Sequence, residues 1–187
     1  MECISGDRVQ LRSWILADAP FVYDLYSRLD VVRFLGRQPR VMTELAQAET
    51  LVDRLRSVDD AVLGYWAVES VLSRELLGTV MLQRIRLTGS ASESDQTEIG
   101  WHFHPDTWGN GYATEAAKLV LSHGFRSGLS RIVAVAHPDN AASHRICERI
   151  GMSAEGLTDR YYDSSYLLFA ASNASSPPPS VASRSSA

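Results

Sequence analysis

The feature that most constrains the fold is a change of hydrophobic period across a glycine loop. Ile99, Trp101 and Phe103 alternate with Glu98, Gly100 and His102, so the two sets face opposite sides of a strand that Pro105 and Asp106 end. Trp108-Gly109-Asn110-Gly111 follows. Ala113, Ala116, Ala117, Val120, Leu121, Gly124 and Phe125 then recur with helical spacing and form one inward face. This order, strand then glycine loop then helix, sets unpaired helix N–H groups beside residues without side chains. With the helix dipole added, the loop suits a diphosphate. A lone Gly-x-Gly fits a plain tight turn equally well. No Lys-Ser/Thr follows the glycines as in a P-loop, and the third glycine of a dinucleotide fingerprint is missing. Asn110 is the residue available to cap the helix.

The flanking chain supplies alternating strands and helices of a mixed α/β protein. Residues 8–13 alternate as a first strand, and Asp18 offers a cap to a helix carrying Pro20, Phe21, Val22, Leu25, Tyr26 and Leu29. Thr43 is placed to cap a second helix with an apolar stripe from Leu45 to Leu55, without a capping box. Phe34-Leu35-Gly36 lies between the helices, as a packed corner or as a wall of a nearby pocket. Residues 64–69 and 76–86 read as a hairpin, residues 88–95 as a polar loop, and residues 132–136 as a strand buried on both faces. Gly128 stops the central helix. Two more strands are expected near residues 154–156 and 165–171.

At 187 residues the chain is expected to form one domain, residues 1–171, with residues 172–187, rich in Ser, Pro and Ala, as a disordered tail. A net charge of −4 argues against general nucleic-acid or membrane-surface binding. Cys3 and Cys147 show neither metal spacing nor a disulfide framework, which suits a reducing cytoplasm. No apolar run reaches the length of a membrane span, and the N-terminus lacks a signal-peptide core. A monomer or a homodimer is expected.

The second informative stretch is residues 137–152. Ser143, Ile146, Cys147 and Ile150 share one stripe, so the Ser143 hydroxyl points inward, where it needs a partner or has a task. Asn140 and Ser143 also suit a simple N-cap and first helical turn.

The joint pattern resembles the GNAT superfamily of N-acetyltransferases, and within it the ribosomal-protein N-terminal acetyltransferase-like (RimJ/RimL-type) branch. The resemblance rests on RVQLRSWILADA at the start, TEIGWHFHP before the loop, WGNGYATEA, and NAASHRICERIGM followed by Glu155-Gly156. It covers nearly all of the chain to about Ala171. One departure is Trp108, where the family's loop often opens with Gln or Arg. The resemblance implies a central, mostly antiparallel, twisted sheet of six to seven strands, flanked by about four helices and splayed between the fourth and fifth strands. It also implies transfer of the acetyl group of acetyl-CoA to a primary amine, by direct attack through a tetrahedral intermediate. By the same resemblance Trp108, Gly109, Asn110, Gly111, Tyr112, Ala113 and Thr114 would cradle the pyrophosphate. The pantetheine would pair along Trp101, His102 and Phe103. Asn140 would bond its arm and Ser143 would reach its sulfur.

An amine must lose a proton before it attacks, and Glu98 is the candidate base. A salt-bridged or exposed strand carboxylate is the plainer reading of Glu98. His102 is the other candidate base, being nearer to neutrality. Ser143 is a hydrogen-bond donor for the leaving thiolate, with Tyr161, Tyr162 and Tyr166 as alternatives. His102 and His104 alternate as metal ligands can, yet no third ligand accompanies them, and no metal is expected. Glu44, Glu93, Asp95 and Asp163 near the expected acceptor pocket would suit a cationic amine or basic peptide. The resemblance leans towards a peptide or protein N-terminal α-amine as acceptor. A small amine or amino-acid derivative is the second reading, and a non-catalytic acyl-CoA-binding sensor a third of another class.

Overall fold

A computed structural model describes residues 3–90 and 93–173. One eight-stranded sheet runs in the order β1-β2-β3-β4-β5-β6-β8-β7. Its strands are β1 (Ile4–Ser5), β2 (Val9–Ser13), β3 (Gly64–Ser70), β4 (Leu76–Arg86), β5 (Glu93–Phe103), β6 (Arg131–Ala136), β7 (Ser153–Thr158) and β8 (Tyr166–Ser172). Neighbours pair antiparallel except β5 and β6, which are parallel. The helices are α1 (Ala19–Ser27), α2 (Leu29–Val32), α3 (Leu45–Arg56), α4 (Tyr112–Arg126) and α5 (Ala141–Arg149).

The alternation along β5 sorts the two faces. Ile99 and Phe103 join Val80, Leu82, Val9, Leu11 and the inward face of α4 in the larger core, to which Cys147 and Ile150 from the α5 side also belong. The opposite face packs under α1 and α3, through Trp14, Val22, Ala48, Val52 and Ala67. Glu98, Gly100 and His102 lie out of phase with the larger core and line a cavity. The period-two and period-3.6 patterns of residues 97–125 therefore fold as the sequence dictates.

Several local expectations change. The sheet has one strand more than the six to seven expected, because Ile4–Ser5 pairs with β2 through Ile4 and Leu11. Residues 88–95 are not all loop, since β5 begins at Glu93. Leu29 does not extend α1. Arg28 adopts extended backbone (φ −91°, ψ 119°), and Leu29 begins the short α2 with its side chain exposed. Asp18 stands before α1 but gives it no side-chain cap. Its carboxylate accepts instead from the Ile15 N–H and from both terminal nitrogens of Arg12, at 2.7–3.0 Å. Glu44, not Thr43, is the N-cap of α3, and Gln47 Oε1 accepts from the Thr43 and Glu44 N–H groups. β8 runs through Ser172, and the Asn173 N–H donates to Ser130 O, so the folded chain passes the expected boundary at 171. The expected tail from 174 onward lies outside the described residues.

Candidate active site

The site is built on the one parallel junction of the sheet. β5 and β6 pair only at Thr97–Ile132 and Glu98–Val133, although β5 continues to Phe103 and β6 to Ala136. Past Glu98 the two strands separate. On its other edge β5 stays paired with β4 as far as Phe103–Gly78. The gap opens into a cavity of about 640 Å³. Two partly unpaired strand edges facing one cleft offer N–H and C=O groups to an amide-bearing ligand.

The glycine loop forms one end of this cavity. Gly111 is the N-cap of α4 at φ 80°, and Gly109 stands at φ 78°. Both lie in the left-handed region that side-chain-bearing residues avoid. Nothing lies within 4 Å of a Cβ built on Gly109, and Arg8 Nη2 is 3.4 Å from one built on Gly111. Tyr112, Ala113 and Thr114 form the first turn, where N–H groups have no intrahelical acceptor. These three residues, both glycines and Trp108 line the cavity. Trp108 donates from Nε1 to Phe103 O at 2.8 Å, which pins the loop to the end of β5. Asn110 neither caps α4 nor lines the cavity. Its Nδ2 donates back to Thr107 O and Trp108 O. Its carbonyl accepts from Arg8 Nη1 at 2.9 Å.

Arg8 stands beside the glycine loop, a placement that sequence spacing did not suggest. It pairs with Glu115 of α4 at 2.8 Å and lies over the Tyr112 ring. A fixed cation thus stands beside the anion-suited loop, about a hundred residues away in sequence. Helix, loop and guanidinium together suit a diphosphate, and the open space over Gly109 suits its close approach.

Glu98 occupies the last paired position before the strands part. It is buried and lines the cavity. Gln83, directly opposite on β4, donates from Nε2 to Glu98 Oε2 at 3.0 Å. The Tyr162 hydroxyl donates to the same oxygen. Burial raises the Glu98 carboxyl above its ordinary range, and the two donors oppose that rise. A carboxyl raised above its ordinary range holds a proton more tightly once it has taken one, which suits a general base. The exposed-carboxylate and salt-bridge readings of Glu98 do not hold, because it is buried with neutral partners.

His102 lies on the same face and contributes to the cavity lining. Its Nδ1 meets the Tyr26 hydroxyl at 2.8 Å, and burial pushes its pKa down to about 4. It is neutral at physiological pH and a weaker base than its residue type suggests. His104 turns to α1 instead, with Nε2 3.0 Å from Asp24.

On the far side of the cavity, Asn140 caps α5 by accepting from the Ser143 N–H at 3.2 Å. That bond fixes both residues where they line the cavity with Trp101 and Phe103. Cys147 lines it too, but burial pushes its thiol up to about 12, so it stays protonated. Tyr162 is committed to Glu98, and Tyr161 is fully buried and donates to Gln96. Tyr166 alone of the three tyrosines lines the cavity without either commitment.

The Phe34 and His137 rings stack at 5.2 Å across the mouth, so the apolar corner after α2 does wall the pocket. Of the acidic residues expected at the rim, Glu44, Asp95 and Asp163 do not line the cavity. Glu44 caps α3 away from the cavity, and Asp163 is bound by the Gly89 N–H and Arg86. Asp95 is exposed, and the Glu93 side chain lies outside what is described. The charged lining is Asp30, Arg33, Arg145 and Arg149 beside Glu98.

Residues 8–153 match the family described as the Acetyltransferase (GNAT) domain. Among curated proteins the chain is similar to "Uncharacterized N-acetyltransferase YoaA" of Bacillus subtilis, 32% identical over 160 residues, covering 84% of this chain and 86% of that protein. Solved structures share the fold. Mycobacterium smegmatis RimJ in complex with CoA-disulfide matches with a TM-score of 0.73 at 20% identity, covering 91% of this chain and 87% of that one. The ribosomal-protein-S5-alanine acetyltransferase of Vibrio fischeri matches with a TM-score of 0.73 at 16% identity, covering 95% and 100%. The split sheet, its glycine loop and the family match over most of the length agree: this chain belongs to the GNAT family of acetyltransferases.

Proposed function

We propose that this acetyltransferase moves the acetyl group of acetyl-CoA to a primary amine, and that the acceptor is a peptide or protein N-terminal α-amine. The observation that carries the reading is the meeting, in one cleft, of a left-handed glycine loop at the start of α4 and a buried carboxyl at the parting of β5 and β6. Acetyl-CoA, when bound, supplies an activated acyl group. The N–H groups of residues 109–114 hold its diphosphate, with Arg8 as a neighbouring cation. The free edge of β5 at Trp101, His102 and Phe103 pairs with the pantetheine amides, and the Asn140 side chain adds a bond to the same arm.

Glu98 accepts the proton of the incoming ammonium, directly or through a water, and leaves the amine able to attack. A β5 N–H on the open edge donates to the carbonyl oxygen as negative charge develops there. The Ser143 hydroxyl donates to the departing sulfur and lowers the cost of its charge, with Tyr166, which also lines the cavity, as the alternative donor. The fold shared with the Vibrio fischeri ribosomal-protein acetyltransferase supports the peptide acceptor.

The test is thiol release from acetyl-CoA across a panel of peptides with free and blocked N-termini, small amines and amino-acid derivatives. Turnover that needs a free peptide N-terminus supports the proposal. Turnover confined to small amines removes the peptide acceptor. Binding of acetyl-CoA with no turnover on any amine leaves a non-catalytic sensor.

A further inference from the structure

The donors around Glu98 are arranged asymmetrically. Gln83 Nε2 and the Tyr162 hydroxyl both bond Oε2. Among the described residues no donor reaches Oε1, and Oε1 is not among the atoms sealed from solvent without a partner. One oxygen is tied down and the other is left to the cavity. Gln83 also donates to the Tyr162 oxygen at 3.1 Å, and its own Oε1 accepts from the Tyr65 hydroxyl of β3. The amide orientation follows from this, because only its N–H side can face a carboxylate.

Tyr162 is held in place at a conformational cost. It and Asp163 are consecutive non-glycine residues at positive φ, 55° and 54°. Such backbone persists only where the surroundings over-determine it. Here the segment between β7 and β8 is fastened to the end of β4. The Tyr162 N–H donates to Arg86 O, Leu87 bridges Tyr161, and Asp163 accepts from the Gly89 N–H at 2.6 Å. The Arg86 guanidinium lies 5.8 Å from the Tyr162 ring centre. Burial keeps the phenol protonated far above neutrality, so it stays a donor.

We propose that Gln83 and Tyr162 are positioning residues that clamp Oε2 of Glu98, hold its carboxylate form and turn Oε1 towards the acceptor amine. This rests on Glu98 being the base. The clamp reaches from β3 through β4 and β5 to the segment before β8. The groups facing the carboxyl are Gln83 from β4, Tyr162 from that segment and Tyr166 from β8, which feels its charge. Val133 is its neighbour on β6, and Tyr65 stands one bond further off on β3. No charged side chain is among these partners, so the two donors alone offset burial.

The test titrates Glu98 itself and needs no acceptor. Wild type, Tyr162→Phe and Gln83→Met are followed from about pH 4 to about pH 9 by the infrared band of the protonated carboxyl. The band is assigned by its loss in Glu98→Gln. In both variants the midpoint is expected to rise by about one pH unit, a tenfold drop in ionised fraction below it, with acetyl-CoA affinity unchanged. Tyr162→Phe keeps the ring and Gln83→Met the side-chain length, so two independent substitutions carry the result. An unmoved midpoint in both overturns the clamp. The acid limb of turnover on the best amine of the panel should move with the midpoint. If the midpoint moves and the limb does not, the two donors do hold the carboxylate, but Glu98 is not the base and the positioning role towards the amine is overturned.

Discussion

At the scale of single residues, the burial of Glu98 costs stability when its carboxyl is ionised. In the unfolded chain its carboxyl titrates at its ordinary value, whereas burial raises it in the fold. Its contribution to stability is therefore fully present below the ordinary value and is lost as pH rises through the raised one. Glu98→Gln should melt higher than wild type at neutral pH, and the gap should close in acid; melting curves against pH check this. The same substitution should lower turnover at least a hundredfold, or about 10². The loss should shrink at alkaline pH, where part of the amine is already neutral, and thiol-release rates over pH measure it. The sequence marked Glu98 through its phase on an alternating strand. It did not mark Gln83, and it singled out Tyr162 as a donor to the thiolate rather than as a partner of Glu98, because those bonds span 15 and 64 positions and carry no periodic signal. Arg8 escaped for the same reason, 107 positions from Glu115.

At the scale of elements, the glycine loop was legible because its chemistry is local. Helix α4 starts at a residue with φ 80°, which a β-branched side chain adopts only with strain of about 1–3 kcal/mol. Gly111→Val also brings a side chain against Arg8 Nη2. The expected outcome is loss of acetyl-CoA binding with the circular dichroism spectrum of the fold kept, and calorimetric titration reads it; normal affinity would remove the loop from the donor site. The break between α1 and α2 was not legible. Apolar spacing carries through to Leu29, and nothing local at Arg28 announces extended backbone. The caps failed in a similar way. Asp18 has the right chemistry for a cap, but Arg12 offers its carboxylate two charge-assisted bonds that a helix N–H cannot match.

At the scale of the whole molecule, donor binding should register as global stability. Acetyl-CoA at a hundredfold its dissociation constant adds about 2.7 kcal/mol. That is a rise of about 5–10 °C in melting temperature for a chain of this size. CoA should act likewise and ATP should not; equal shifts with ATP would mean that the loop reads only phosphate. Behind this lies the two-pair junction of β5 and β6. A sheet interrupted at its middle is two stiff plates on a short hinge, β1–β5 on one side and β6–β8 on the other. Two ladder pairs resist sliding poorly, and their stiffness falls away with distance from Thr97 and Glu98. In the proposed binding mode the donor serves as the missing rung, a splint between the plates. Amides of residues 100–103 and 134–136 that face the gap should exchange with deuterium faster than those shared by β4 and β5, and should slow once acetyl-CoA is bound. The proposed catalytic seam is thus also the mechanical weak line of the sheet, and a donor bound there would mend it.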